Sequence, residues 1–140
     1  MKRNVWLTVH GEQQYEGMSA DSSDLRVRGT MEETRDGYLL RYEETDGDGK
    51  VTTATRLALA PDCIILTRTG EVTSEMAFAE GKEHTSFYAV SYGTLPVAVK
   101  AESVKWKLDE NGGMLALHYA ITIGGQRGKC ALRIRVRTEE

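Results

Sequence analysis

The residues of this chain with chemistry to offer are three histidines, two cysteines and a scatter of acids and arginines, and their spacing removes most of the reactions they could support. His10, His84 and His118 have no His or Cys partner at metal-ligand spacing, so no metal or other cofactor is expected. Cys63 and Cys130 read as two reduced core thiols, because a chain of 140 residues needs no staple. There is no Gly-x-Ser-x-Gly elbow, and neither cysteine lies in a catalytic context. The enzymatic reading, the less favoured one, reduces to a dispersed acid–base pair of Glu43 or Glu44 with a histidine. Asp46-Gly47-Asp48-Gly49-Lys50 opens like a calcium loop. Such a loop needs an oxygen ligand at its fifth position and a glutamate at its twelfth, and here those places hold Lys50 and Leu57. The segment reads as an acidic hairpin tip. Gly124 to Cys130 resembles a phosphate-cradling loop, but Ile123 stands where the first glycine belongs and Cys130 replaces the metal-binding hydroxyl. It reads as a hairpin turn.

What remains is a set of polar groups on apolar strand phases. Tyr38, Tyr42, Tyr88, Tyr92 and Tyr119 fall in or beside predicted strands. A tyrosine has an apolar ring and a polar tip, which suits either core packing or a ligand cavity with a few placed hydroxyls. Arg68 ends the apolar run Cys63 to Leu66, and Glu44 shares the apolar phase of its strand, where the first hairpin sets it opposite Gly29. Both are expected at a barrel mouth. Paired, they are structural; with Arg68 free, its guanidinium suits a carboxylate or phosphate. Tyr42, Glu44, Arg68, Tyr88, Tyr92 and Tyr119 are therefore the candidate ligand-binding residues. Lys129, Arg133, Arg135 and Arg137 alternate with Leu132, Ile134 and Val136, and Arg26 and Arg28 join them if the fold brings the strands together. This stripe reads as a lane for a polyanion or as a solvated strand face. The formal net charge of -3 favours the second reading and argues against nucleic acid as a partner.

Strands must position these groups. The length allows one domain, residues 1–140, and the 40% hydrophobic and 28% charged content is that of a globular chain. Turn signals recur at Asp36-Gly37, Asp46 to Gly49, Gly70, Gly81, Asn111-Gly112 and Gly124-Gly125, with alternating Val-, Thr-, Tyr- and Ile-rich segments between them. A two-residue turn at Asp36-Gly37 sets Met31 opposite Tyr42. One at Asn111-Gly112 sets Trp106 opposite Leu117, and one at Gly124-Gly125 sets Leu117 opposite Leu132 and Tyr119 opposite Cys130. The apolar phase is odd at Leu95, Val97 and Val99 and even at Val104, Trp106 and Leu108, which predicts a β-bulge near 101–103. Gly11 to Asp24 is polar and reads as a loop or a short helix. Consecutive hairpins without long crossovers predict an all-β, antiparallel up-and-down barrel of about 8–10 strands. The opening Met1-Lys2-Arg3 is followed by alternation instead of the apolar run of a signal peptide, and no window suits a spanning helix, so a cytoplasmic location is expected.

Tyr42-Glu43-Glu44-Thr45, Thr67-Arg68-Thr69-Gly70, Met76-Ala77-Phe78, Tyr88 to Leu95 and Leu117-His118-Tyr119-Ala120-Ile121 occur in an order that resembles the YwiB-like bacterial family. The resemblance runs from about Val5 to Val136. It implies a calycin-like barrel, related in shape to lipocalins, and carries no catalytic residue, because the family's function is unknown. The function expected is binding of a small amphipathic ligand or metabolite in the lumen. The alternative is a protein-interaction or homodimeric module acting through the outer faces.

Overall fold

The computed structural model describes residues 2–139. Ten strands follow one another: β1 (Lys2–Tyr15), β2 (Asp21–Glu33), β3 (Tyr38–Thr45), β4 (Val51–Ala60), β5 (Cys63–Gly70), β6 (Thr73–Phe78), β7 (Glu83–Val90), β8 (Gly93–Asp109), β9 (Gly112–Ile123) and β10 (Gln126–Thr138). Each pairs antiparallel with the next, and β1 closes the barrel against β10. The described residues form no helix, so none is long and apolar enough to cross a membrane.

Period-two alternation sends one face of every strand inward. Leu40, Leu57, Ile64, Leu66, Phe78, Leu115 and Leu117 meet there, each 2% exposed or less. These side chains fill most of the lumen, which is therefore a packed core and not an open tube. One end is sealed by Trp106, whose indole N–H donates to the Ala60 carbonyl at 2.7 Å, with Tyr38 edge-on to its ring at 6.1 Å.

The turn at Gly124-Gly125 has the expected register, with Tyr119 opposite Cys130 and Leu117 opposite Leu132. The bulge falls between Ala101 and Ser103, as the phase switch requires. The other two hairpins turn one residue earlier than the glycines suggest. Met31 faces Leu40 and Gly29 faces Tyr42; Trp106 faces Leu115 and Val104 faces Leu117. A side chain at the first turn position is the cause in both. Thr34 Oγ1 accepts the Gly37 N–H at 3.1 Å, and Asp109 Oδ1 accepts the Asn111 N–H at 2.8 Å. Such caps make the glycine the fourth residue of the turn. The slip is two residues in pairing, so inward residues stay inward.

Gly11 to Asp24 is not a loop or helix over its length. β1 runs on to Tyr15 and β2 resumes at Asp21, because β10 offers Lys129 and Gly128 as partners to Gln14 and Tyr15. Pairing to a neighbour overrides the weak local signal.

Candidate functional site

Opposite the Trp106 end, the inward face changes from apolar to polar. The strand registers set Tyr42 beside Thr55, Thr55 beside Arg68, Arg68 beside Ser74, and Ser74 beside Tyr88. Five adjacent strands thus contribute one polar residue each to a single inward row. Tyr119 faces the row from β9, and its ring packs on Phe78 with centroids 4.7 Å apart. Above that ring lies a cup of about 250 Å³, lined by Arg68, Tyr42, Leu66, Tyr119 and Cys130 and rimmed by Glu44, Asp21 and Glu12. The cup opens where β2 and β3 part, since their pairing stops at Gly29–Tyr42.

Three groups in this row lack partners that burial normally demands. Arg68 is half-buried and makes no ion pair with a carboxylate among the described residues; Glu44 shares the cup but does not bond it. Thr55 and Ser74 are 3% and 2% exposed, and neither hydroxyl has a hydrogen-bond partner among the described residues. A buried hydroxyl without a partner costs about 1–3 kcal/mol. Burial pushes the Tyr42 phenol up, with the Arg68 guanidinium pulling it back. Burial also raises Tyr119, with Cys130 adding to the rise and Arg68 opposing it. The Cys130 thiol is raised by burial as well. All three groups are therefore neutral near pH 7, and Arg68 is the one inward charge that a ligand would meet at the base of the cup.

Of the six candidate residues, the structure brings Tyr42, Glu44, Arg68 and Tyr119 into the cup. Tyr88 ends the polar row beside Ser74 without lining the cup. Tyr92 is 89% exposed on the β7–β8 turn and has no part in it. Gly29 does not make room for Glu44. It opposes Tyr42, and a Cβ there would lie 2.8 Å from Leu7 Cδ1 and 2.2 Å from the Arg41 carbonyl oxygen. Thr55 and Ser74 escaped the sequence reading, although parity with Leu57 and with Met76 marks both as inward. No histidine lines the cup, which leaves the acid–base pairing of a histidine with Glu43 or Glu44 unassembled. His10 lies on the outer face between Asp24 and Glu12.

Comparison with known proteins matches residues 7–134 to the family described as Domain of unknown function (DUF1934). The uncharacterized beta-barrel protein YwiB of Bacillus subtilis (strain 168) is 29% identical over 90 residues, which span 64% of this chain and 61% of that protein. The crystal structure of the ywiB protein from Bacillus subtilis superposes with a TM-score of 0.80 at 19% identity, covering 96% of this chain and 92% of the other. The shared fold is the closed barrel described above, and the chain belongs to the DUF1934 family.

Proposed function

We propose that the barrel mouth binds a small metabolite through a carboxylate or phosphate held by Arg68. The observation that carries the reading is the inward guanidinium without a carboxylate partner, flanked on its own row by two buried hydroxyls that lack one too. An arginine offers a bidentate fork to such an anion, and Thr55 and Ser74 flank it on the wall beneath, without lining the cup themselves. The rim of Glu44, Asp21 and Glu12 favours an outer end that is cationic or donates hydrogen bonds. Lipocalin-like barrels hold apolar ligands, but that analogy is one of shape alone. Here Leu57, Leu66 and Phe78 occupy the space a long tail would need. At about 250 Å³ the cup also falls below the roughly 300–1,000 Å³ of pockets for drug-sized ligands.

Native mass spectrometry of freshly purified protein tests this directly. The wild type retains a small adduct, or gains one from a panel of organic acids and phosphate esters, and Arg68→Met does not. A bare mass for the wild type across the whole panel overturns the reading. The same spectra count subunits. Assembly through an outer face is the second reading, favoured by Phe87 and Tyr92, which are 49% and 89% exposed. A dimer mass that Phe87→Ser abolishes would support it.

A further inference from the structure

Closure of the barrel puts the two basic segments on one outer face. β1 lies between β2 and β10, so Trp6 has Arg28 on one side and Arg137 on the other, and Thr8 has Arg26 and Arg135. On the far side of β10, Met114 and Ala116 of β9 lie between Arg135 and Arg133 and the lysines Lys107 and Lys105 of β8. These seven cations are all exposed. The rest of the chain holds eleven Lys and Arg, and the 21 Asp and Glu lie mostly off this face, with Glu139 on Arg28 and with Asp24 and Asp109 ending the β2 and β8 columns. The net charge of -3 thus conceals a strong separation of sign.

The face is organised in lanes. Three cationic columns stand on β2, β10 and β8, about 9–10 Å apart, with charges repeating about every 6.8 Å along a strand. Between them run two uncharged lanes, Trp6 and Thr8 on β1, and Met114 and Ala116 on β9. The guanidinium carbons of Arg26 and Arg28 lie over the Trp6 ring, 4.7 and 5.0 Å from its centroid, within cation–π reach. Arg28 meets Glu139 at 3.3 Å; the other six cations make no ion pair among the described residues.

We propose that this face binds single-stranded nucleic acid, with phosphates along the β10 arginines and bases over the uncharged lanes of β1 and β9. Charge complementarity requires a polyanion, and the lanes select among polyanions. A duplex hides its bases and would leave the lanes unused. An acidic polypeptide has no flat faces to fill them. A lipid surface calls for several exposed large apolar side chains, and Met114 is the one on this face among the described residues. Unstacked bases over Met114 and over the Arg26 and Arg28 guanidiniums that cover Trp6, with phosphates on the β10 arginines, use every feature.

The test is fluorescence anisotropy of a 5′-labelled oligouridylate 15-mer at graded salt. The wild type binds with a Kd on the order of 10⁻⁵ M at low salt, and neutralising four phosphates weakens it about 50-fold between 50 and 200 mM. Trp6 emission changes on binding, and Trp6→Phe lacks that change. Arg133→Glu/Arg135→Glu binds at least tenfold more weakly, with a salt slope shallower by about 1.4. Lys50→Glu/Lys82→Glu, with the same change in net charge outside the face, binds as the wild type does. The proposal is overturned if the wild type fails to bind at low salt or if the control pair loses as much as the arginine pair. Polyglutamate or phosphatidylserine vesicles binding as tightly as the oligonucleotide would also overturn it.

Discussion

Thr55→Val and Ser74→Ala should each make the protein more stable, although each removes a hydroxyl from the inward row that carries Arg68. Thr55 Oγ1 and Ser74 Oγ are buried without a hydrogen-bond partner among the described residues. Such a group carries its desolvation penalty of about 1–3 kcal/mol uncompensated. The cup above them is open at its rim, so the lower end, about 1 kcal/mol each, is the better figure. Valine keeps the β-branched shape of Thr55, and alanine only shortens Ser74, so packing changes little. For 140 residues the unfolding entropy is about 0.3 kcal/mol per degree, so each variant melts about 3 °C higher. The two hydroxyls stand on either side of β5. At about 9–10 Å their effects should add to within about 0.5 kcal/mol, giving roughly 6 °C for the pair. Thermal unfolding followed by circular dichroism measures this. A fall in melting temperature for either variant would mean that its hydroxyl is satisfied in the folded protein, and the argument from orphaned donors would fail with it.

Trp106→Phe removes the hydrogen bond to the Ala60 carbonyl and opens a gap beside Tyr38. Chemical denaturation should show a loss of about 2 kcal/mol, whereas a loss under about 0.5 kcal/mol would place the indole outside the sealed end. His10 Nδ1 and Nε2 lie 2.7 and 2.9 Å from carboxylate oxygens of Asp24 and Glu12, which raise its pKa above the ordinary 6.5. A raised folded pKa contributes stability that is fully present below 6.5 and is lost as pH rises through the folded value. NMR titration should therefore place the His10 transition above 6.5, and Asp24→Asn should lower it; no change on that substitution would count against the pairing. Burial raises the phenols of Tyr15, Tyr42 and Tyr119. Unfolded phenols ionise first, near pH 10, so stability falls as pH climbs past that value. Absorbance near 295 nm should show these three ionising above the ordinary phenol value of about 10. Free titration of all six tyrosines in the folded protein would contradict their burial.

Alternation along the strands makes the inward and outward faces legible in the sequence itself. Leu115, Leu117 and Tyr119 keep one phase through two turns, and the break at Ala101 to Ser103 announces its own bulge. Pairing was less legible, because a glycine marks a turn without saying which place it takes in it. At Thr34 and Asp109 a side-chain cap outside the Gly dipeptide decides. The candidate site divides along the same line. Tyr42, Arg68 and Tyr119 stand out as polar residues on an apolar phase, and they do meet. Thr55 and Ser74 are common strand residues, and only the registers of β4, β5 and β6 bring them to Arg68. Tyr92 follows Tyr88 by an inward-outward count, but the chain turns at Ser91 and the count ends there. The basic face shows most plainly what a sum over the chain conceals, since net charge says nothing about which strands become neighbours.

The polar row also crosses the shortest ladders of the barrel wall, among them β6–β7 and, level with β5–β6, β2–β3. β2 and β3 stop pairing at Gly29–Tyr42, one residue pair into the row, and β6 and β7 share only the pairs Thr73–Ala89 and Ser74–Tyr88. By contrast, β9 and β10 are paired from Gln126–Ile123 to Arg137–Gly112 without a break. Local opening costs least where the fewest ladder bonds must break. The wall segment carrying Arg68, between those two gaps, can therefore yield while the β8–β9–β10 wall stays intact. That gives the cup a second route for ligand entry that does not require global unfolding. Hydrogen exchange followed by mass spectrometry should show the β6–β7 seam and the mouth ends of β2 and β3 exchanging well before β9 and β10, with Arg68→Met leaving that order unchanged. Equal protection around the whole barrel would mean that the wall opens only when the protein unfolds, and entry would then have to proceed through the rim of Glu44, Asp21 and Glu12 alone.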